Sequence, residues 1–202
     1  MSTTHVIVGV GGLGCPLALD LGLRGERIVL VDFDRVELSN LPRQILFRTE
    51  DVGRPKVEAA ADALVRRGVA AARIEPIMAV WHPGLLGDDV FEGSDDLVTK
   101  FAVSDACVAA GVPCVVGGVL RHAGQVFGFR PGLACYRCLF EEPPPDAPSC
   151  ADAGVLGPMC LLVAAEMLRA APGLLLLPEG RRVTVRRRAG CAACGVSKEL
   201  FA

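Results

Sequence analysis

Six polar side chains crowd one short stretch of the chain, Asp32 to Lys56 (DFDRVELSNLPRQILFRTEDVGRPK): Asp32, Asp34, Asn40, Arg43, Gln44 and Lys56. They follow directly on Ile28 to Val31, an apolar run that reads as a buried strand. Carboxylate, amide, guanidinium and ammonium groups at this density are costly to bury unless a charged ligand meets them. A nucleoside triphosphate with Mg²⁺ suits the set, because it offers ribose to a carboxylate and phosphates to arginine and lysine.

Ahead of that strand, Gly9-Val10-Gly11-Gly12-Leu13-Gly14 fits G-x-G-x-x-G between a strand (His5 to Val10) and a helix (Leu13 to Leu23). Such glycines let the backbone turn tightly and approach a phosphate at the helix N-terminus. Alone the pattern also suits a plain strand-to-helix turn or a dinucleotide site, and Asp32 stands at the distance of a ribose-binding acid in either nucleotide reading. A dehydrogenase has no need for the S-N-L-x-R-Q run of Ser39, Asn40, Leu41, Arg43 and Gln44 followed by Lys56, so ATP is favoured over NAD.

The chain holds nine cysteines and no secretion signal, which points to a reducing, cytoplasmic setting and to metal binding or catalysis before disulfides. Cys135-Tyr-Arg-Cys138 and Cys191-Ala-Ala-Cys194 each have C-x-x-C spacing, and two such knuckles make a four-thiolate structural zinc site. Neither pair sits in the strand-to-helix setting of a redox motif. Cys15, Cys107, Cys114 and Cys160 lie in apolar runs and read as small core residues. Cys150 follows the proline-rich EEPPPDAP and opens the last long helix, where a helix N-terminus would lend it thiolate character.

The elements that must position these groups alternate. Helices are expected at Lys56 to Arg67, led in by Pro55, at Leu97 to Ala110, closed by Gly111, and at Cys150 to Ala171. Strands are expected at Arg73 to Val80, Pro113 to Val119 and Gly124 to Phe129, with a last extended piece from Arg181 to Arg187. Asp88 to Gly93 matches an apolar strand poorly. Alternating strands and helices in 202 residues imply one domain built on a doubly wound α/β, Rossmann-like sheet. Residues 1–130 would form its nucleotide-binding part and 131–202 a C-terminal part with the zinc knuckles.

Hydrophobic residues make up 51% and mean hydropathy is +0.43, yet no apolar run reaches the roughly 18 residues needed to span a bilayer. A net charge of −2 argues against a general nucleic-acid binder. His5, His82 and His122 show no pairing with each other or with an acid. Trp81 and Tyr136 read as packing residues, and Arg186-Arg187-Arg188 as a solvated edge.

The order D-x-D-x-V-x-x-S-N-L-x-R-Q then G-R-P-K, with the doubled Gly11-Gly12 and the C-Y-R-C-L-F and C-x-x-C-G zinc motifs, resembles the ThiF/MoeB/HesA family, bacterial relatives of ubiquitin-activating enzymes. The resemblance runs from about Val6 to Cys194. It implies a sheet of the ubiquitin-activating type, and an adenylyltransferase that activates the C-terminal glycine of a ubiquitin-like sulfur carrier ending in Gly-Gly. It implies MgATP as cosubstrate and a homodimer. By the same resemblance, Asp32 meets ribose, Asn40, Arg43 and Lys56 hold phosphates, and Asp95 of Ser94-Asp95-Asp96 binds Mg²⁺. Cys150 matches the thioester- or persulfide-forming cysteine of members that use one. Asp96 stands where the family has asparagine. The family's partner-crossing N-terminal arginine has no counterpart ahead of the first strand, so Arg48 is expected to replace it. Three other readings stay open: a non-catalytic or partner-dependent subunit, adenylation of a peptide or small carboxylate, and an NAD-dependent oxidoreductase.

Overall fold

Short runs of β-branched residues, each flanked by glycine or a charged turn, build the centre of the sheet. The computed structural model describes residues 3–143 and 154–195. In it β1 (Thr4–Val8) leads through the glycine loop into α1 (Gly14–Leu23), then β2 (Arg27–Val31). The polar stretch passes through two single 3₁₀ turns to α2 (Lys56–Arg66) and the short β3 (Ile74–Ile77). Next come β4 (Asp89–Glu92), α3 (Leu97–Ala110), β5 (Cys114–Leu120) and β6 (Ala123–Phe129). A one-turn α4 (Tyr136–Leu139), α5 (Gly157–Met167), β7 (Gly173–Leu177) and β8 (Arg181–Val183) complete the described chain.

All eight strands join one sheet, in the order β3-β2-β1-β4-β5-β6-β7-β8. The first five run parallel and the last three antiparallel. From β1 the chain moves outward to β2 and β3, then returns to β4 on the other side of β1. Such a reversal of strand order opens a crevice at the carboxyl ends of the two central strands. The parallel strands alternate between two cores. Ile7, Ile28 and Leu30 pack with α1, α2 and α5, while Val6, Val8, Val29 and Val31 pack with Phe101 and Val103 of α3 and Tyr136 of α4. Both faces are therefore covered, as parallel strands require. None of the helices among the described residues is long and apolar enough to cross a membrane.

The helix ends follow local chemistry. Pro55 precedes α2, Gly25 follows α1 at φ +80°, and Gly111 ends α3 in the left-handed region at φ +68°. Asp96 caps α3, its Oδ2 accepting the Thr99 N–H at 2.7 Å.

Several sequence expectations need correction. The poorly apolar Asp88 to Gly93 holds a central strand, because its charges are matched from β1 and from the start of α3. The Asp88 carboxylate accepts the Thr4 N–H at 2.7 Å, and buried Glu92 pairs with Lys100 at 2.6 Å. Of the helix expected from Cys150 to Ala171, the described residues hold Gly157–Met167, with Pro158 in its first turn; Cys150 itself lies outside the described residues. Gly173–Leu177, expected as no element, is a strand paired with β6 and β8. β3 is only four residues long, an edge position that tolerates Pro76.

His5 has a partner after all: its Nδ1 lies 2.6 Å from Asp89 Oδ1 across the β1–β4 pair. Burial disfavours the imidazolium, but the hydrogen bond and charge of Asp89 outweigh it, with Glu26 and Asp88 adding to them, so the His5 pKa is raised above 6.5. This contribution to stability is fully present below pH 6.5 and is lost as pH rises through the higher folded-state value. Denaturant unfolding midpoints should accordingly fall across that window in the wild type, and His5→Gln should flatten the dependence. Equal slopes in both proteins would exclude the pair as its source.

Candidate functional site

Four loops at the carboxyl ends of the strands meet in one cleft of about 500 Å³. The glycine loop follows β1. Gly9 takes φ +83°, and a Cβ there would lie 2.7 Å from the Ser94 backbone, so glycine is required twice over. Gly9, Gly11 and Gly12 line the cleft. Gly14 does not; it lets α1 sit against the Gly9 carbonyl, where any Cβ would clash. Behind Gly12 stands Cys160 of α5, whose Sγ would be 2.9 Å from an added Cβ.

After β2, Asp32 ties this loop down. Its Oδ2 accepts the Val10 N–H at 2.7 Å and its Oδ1 the Asp34 N–H at 2.8 Å. Burial raises its pKa, and Lys56 with those two backbone amides only partly offsets the rise. A carboxylate has about four acceptor positions, so two remain for ribose hydroxyls. Lys56, the first residue of α2, is buried and pairs with Asp34 Oδ2 at 2.8 Å. Its amide also donates to the Asp34 carbonyl, which holds the start of α2 against the polar stretch.

Asn40, Arg43 and Gln44 reach the cleft from consecutive tight turns, in which the Arg43 and Gln44 amides both donate to the Asn40 carbonyl. Ser39 and Leu41 do not line it. The Ser39 carbonyl accepts Arg43 Nη1 at 3.1 Å, and Leu41 packs on the core. The fourth loop, after β4, brings Asp95 and Asp96 to the opposite wall. Asp96 is committed locally. Burial opposes its ionisation, but the Thr99 hydroxyl and amide more than compensate and hold its pKa below the usual carboxylate range. Arg48 and Arg54 are not on the cleft: Arg48 is exposed, and Arg54 pairs with Asp51 and Asp62.

Two observations test whether a metal–nucleotide would fit. The Gln44 side chain is buried, and its Oε1 has no hydrogen-bond partner among the described residues, an orphan acceptor that a ligand hydroxyl would satisfy. The cleft also presents five carboxylates (Asp32, Asp34, Glu37, Asp95, Asp96) against two cations (Arg43, Lys56). A bare polyphosphate would be repelled there, whereas one carrying a divalent cation matches the donor set.

The four knuckle cysteines converge behind the sheet. Cys135–Cys191 and Cys138–Cys194 sulfurs lie 3.5 and 3.4 Å apart, and all four within 4.8 Å of one another. A tetrahedral ion with metal–sulfur bonds of about 2.3 Å sets sulfurs roughly 3.8 Å apart, close to this spacing. Burial pushes the Cys135 thiol up. At Cys191 it is outweighed by the Cys194 and Ala193 amides, which bring the pKa down to about 6 and ready one thiolate for a cation. Two of the three arginines expected as a solvated edge are tied into this cluster, while Arg186 is exposed. The Arg188 amide donates to Cys138 Sγ, its guanidinium to the Arg137 carbonyl, and Arg187 donates to the Cys194 carbonyl.

The profile of the ThiF family matches residues 1–179. The chain belongs to the ThiF family. It is 42% identical over 216 residues to the adenylyltransferase and sulfurtransferase MOCS3 of Sus scrofa, covering 94% of this chain and 48% of that protein. With the sulfur carrier protein adenylyltransferase of Thermus thermophilus it shares 40% over 223 residues, 94% of this chain and 81% of that one. The chain thus spans about half the length of the MOCS3 relatives it matches. Among solved structures, Escherichia coli MccB crystallised with ATP superposes with a TM-score of 0.80, covering 96% of this chain and 67% of that chain. At 21% identity, that likeness is one of fold.

Sequence reasoning missed part of this ThiF-family site. Phe33, 60% exposed between the two aspartates, and Val80, 65% exposed, form apolar cleft walls beside Trp81. The D-F-D alternation was the available signal, since an aromatic between two solvent-facing acids has no core to enter. Cys160, read as core, is buried yet borders the cleft.

The Gly12–Cys160 contact makes a stability prediction. Gly12→Ala should cost on the order of 1 kcal/mol by overpacking. Cys160→Ala in the same chain should recover most of that loss, measured by denaturant unfolding as a double-mutant cycle. Strict additivity of the two changes would mean that the residues do not press on each other.

Proposed function

We propose that this chain is an ATP-dependent adenylyltransferase that activates the C-terminal glycine carboxylate of a ubiquitin-like sulfur carrier ending in Gly-Gly. The observation that carries the reading is the convergence of Asp32, Arg43 and Lys56, from the connection between β2 and α2, with Asp95, from the connection between β4 and α3, on one cleft at the reversal of strand order. The relatives at 40–42% identity, named for adenylyl transfer and sulfur transfer, support it.

The residues divide the work by chemistry. Asp32, held by two backbone amides, would accept from the ribose hydroxyls, and Gln44 Oε1 would take a further donor of the ligand. Phe33 and Val80 offer apolar surface to a base. Arg43, Asn40 and Lys56 would bind phosphate oxygens, with Lys56 exchanging its Asp34 partner for them. The incoming carboxylate oxygen forms a bond to the α-phosphorus, the bond to the bridging oxygen breaks, and pyrophosphate leaves with that electron pair. Negative charge grows on the leaving group, so fixed cations near it lower the barrier more than they tighten ground-state binding. Mg²⁺, when bound by Asp95, would supply further charge neutralisation at the phosphates.

Within this reading, residues 1–130 form the nucleotide-binding part and 131–202 a C-terminal part fastened by structural Zn²⁺ on Cys135, Cys138, Cys191 and Cys194. The Cys150 thiolate would attack the acyl-adenylate carbonyl to form a thioester, with AMP leaving, or would take sulfane sulfur from a persulfide donor, whose thiol leaves. Cys150 lies five positions before Val155, which lines the cleft. A homodimer is supported by α5, where Leu161 and Leu162, with Leu156 just ahead of the helix, stay exposed on an element that is apolar nearly all round. A thiol-rich, reduced metal cluster suits the cytoplasm.

ATP–pyrophosphate exchange with candidate proteins ending in Gly-Gly tests the activity. Exchange should require the carrier and fall at least about 100-fold in Lys56→Ala and Asp95→Ala, as for loss of a principal charge-stabilising group. Cys150→Ala should retain exchange while losing later sulfur transfer. No exchange with any Gly-Gly protein would sink the proposal. Elemental analysis of freshly purified protein should find about one zinc per chain, lost with thermal stability in Cys135→Ser.

A further inference from the structure

Glu92 closes β4 in the middle of the sheet and is fully buried. Facing it from the first turns of α3 is Lys100, 4% exposed. Lys100 Nζ donates to Glu92 Oε2 at 2.6 Å, to the Ser94 carbonyl at 2.6 Å and to the Gly117 carbonyl of β5 at 2.7 Å. An ammonium has three donors, and all three are engaged. The other Glu92 oxygen, Oε1, accepts the Ser94 N–H at 2.9 Å and the Ser94 hydroxyl.

Ser94 is thus gripped at its amide, hydroxyl and carbonyl by two buried charged side chains. Gly9 backs it so closely that no Cβ fits between, and two residues on, Asp96 is fixed by Thr99. Between these attachments stands Asp95, exposed in the cleft, whose carboxylate has no partner among the described residues. Neither Glu92 nor Lys100 lines the cleft itself. Net stability is a poor reason for such a pair, since apolar replacements of buried ion pairs are often neutral or stabilising. Orientation is a better one, because partners behind a metal-binding carboxylate fix its direction.

We propose that Glu92 and Lys100 are positioning residues, which hold Ser94 so that Asp95 presents its carboxylate to the divalent cation accompanying ATP. The inference rests on the adenylation reading above, in which Asp95 is the metal ligand. Both residues act from behind the loop and through its backbone, as a rigid mount. Loss of the mount leaves Asp95 in place chemically but spreads it over many orientations, so the cation is held more weakly while the phosphate-binding wall of Arg43 and Lys56 is untouched.

The test is Mn²⁺ titration by electron paramagnetic resonance in the presence of a non-hydrolysable ATP analogue. Lys100→Met should weaken Mn²⁺ binding by about tenfold or more. Lys100→Arg, which keeps the charge and enough donors, should stay near wild type. In pyrophosphate exchange, Lys100→Met should raise the half-activating Mg²⁺ concentration by a similar factor, with the rate recovering at high Mg²⁺. A general folding defect would instead lower the rate at every Mg²⁺ concentration, and that pattern would overturn the proposal. If Lys100→Met does not fold, Glu92→Gln/Lys100→Met removes both charges and carries the same test: weak Mn²⁺ binding supports the inference and wild-type affinity overturns it. Wild-type protein that fails to bind Mn²⁺ with the analogue overturns the adenylation reading and this inference together. Tight binding in both wild type and Lys100→Met overturns this inference alone.

Discussion

A Cβ at Gly9 would lie 2.7 Å from the Ser94 backbone, and one at Gly14 would collide with the Gly9 carbonyl. The loop after β1 is therefore clamped between its own helix and the loop after β4, with no side chain in either contact. Parallel strands place the carboxyl ends of β1 and β4 side by side, but only this backbone-to-backbone approach brings the glycine loop next to Asp95. Asp32 completes the clamp from β2 by accepting the Val10 N–H. Widening either contact by the size of a methyl group would separate the wall that suits phosphates from the wall that suits a cation.

Around this clamp the molecule buries charge in quantity. Asp32, Lys56, Glu92 and Lys100 are all under 10% exposed. Each is answered: Asp32 by two amides, Lys56 by Asp34, and Glu92 and Lys100 by each other with Ser94 and Gly117. Removing one member of such a pair typically costs about 3–5 kcal/mol, because the survivor is left buried and uncompensated. That cost ties each of these side chains to its partner. Of the buried side-chain atoms that line the cleft, Gln44 Oε1 lacks a hydrogen-bond partner among the described residues. That acceptor stands where a ligand would meet it.

Local chemistry was legible in the sequence; pairings across the sheet were not. The glycine loop, Asp32 at the end of β2, Lys56 behind Pro55 and the Gly111 stop of α3 each follow from one residue's conformational or capping preference and need no knowledge of the rest. The two C-x-x-C knuckles follow from ligand spacing. β4 was obscured because Asp88, Asp89 and Glu92 look wrong for a central strand until Thr4, His5 and Lys100 stand beside them. His5 and Asp89 are 84 positions apart, and nothing in either neighbourhood announces the other. β7 is a bare run of leucines, which has no period to separate a strand from a buried helix. The apolar walls of the cleft, Phe33 and Val80, were hidden for a related reason. Exposed apolar residues are common, and only the shape of the cleft shows which of them face a ligand.

The four-cysteine cluster lies on the opposite side of the sheet from α1 and α2, yet it is joined to the cleft through α3. Arg137, between the first two cysteines, donates to both Asp105 oxygens at 2.9 and 2.8 Å and lies over the Phe101 ring. Tyr136 packs edge-on against Phe101, Phe127 and Phe140. Asp105 and Phe101 are on the same helix that begins at the Asp96 cap and carries Lys100. A cation bridging Cys135 and Cys138 to Cys191 and Cys194 would pin the far end of the chain to α4, and α4 to α3. The helix would then be fixed at its middle by the knuckle and at its start by Glu92 and Ser94, so it has little freedom to roll. A closed four-thiolate ion would have no open coordination position for chemistry, and in this geometry its task would be mechanical: to hold steady the helix on which the acidic loop is mounted.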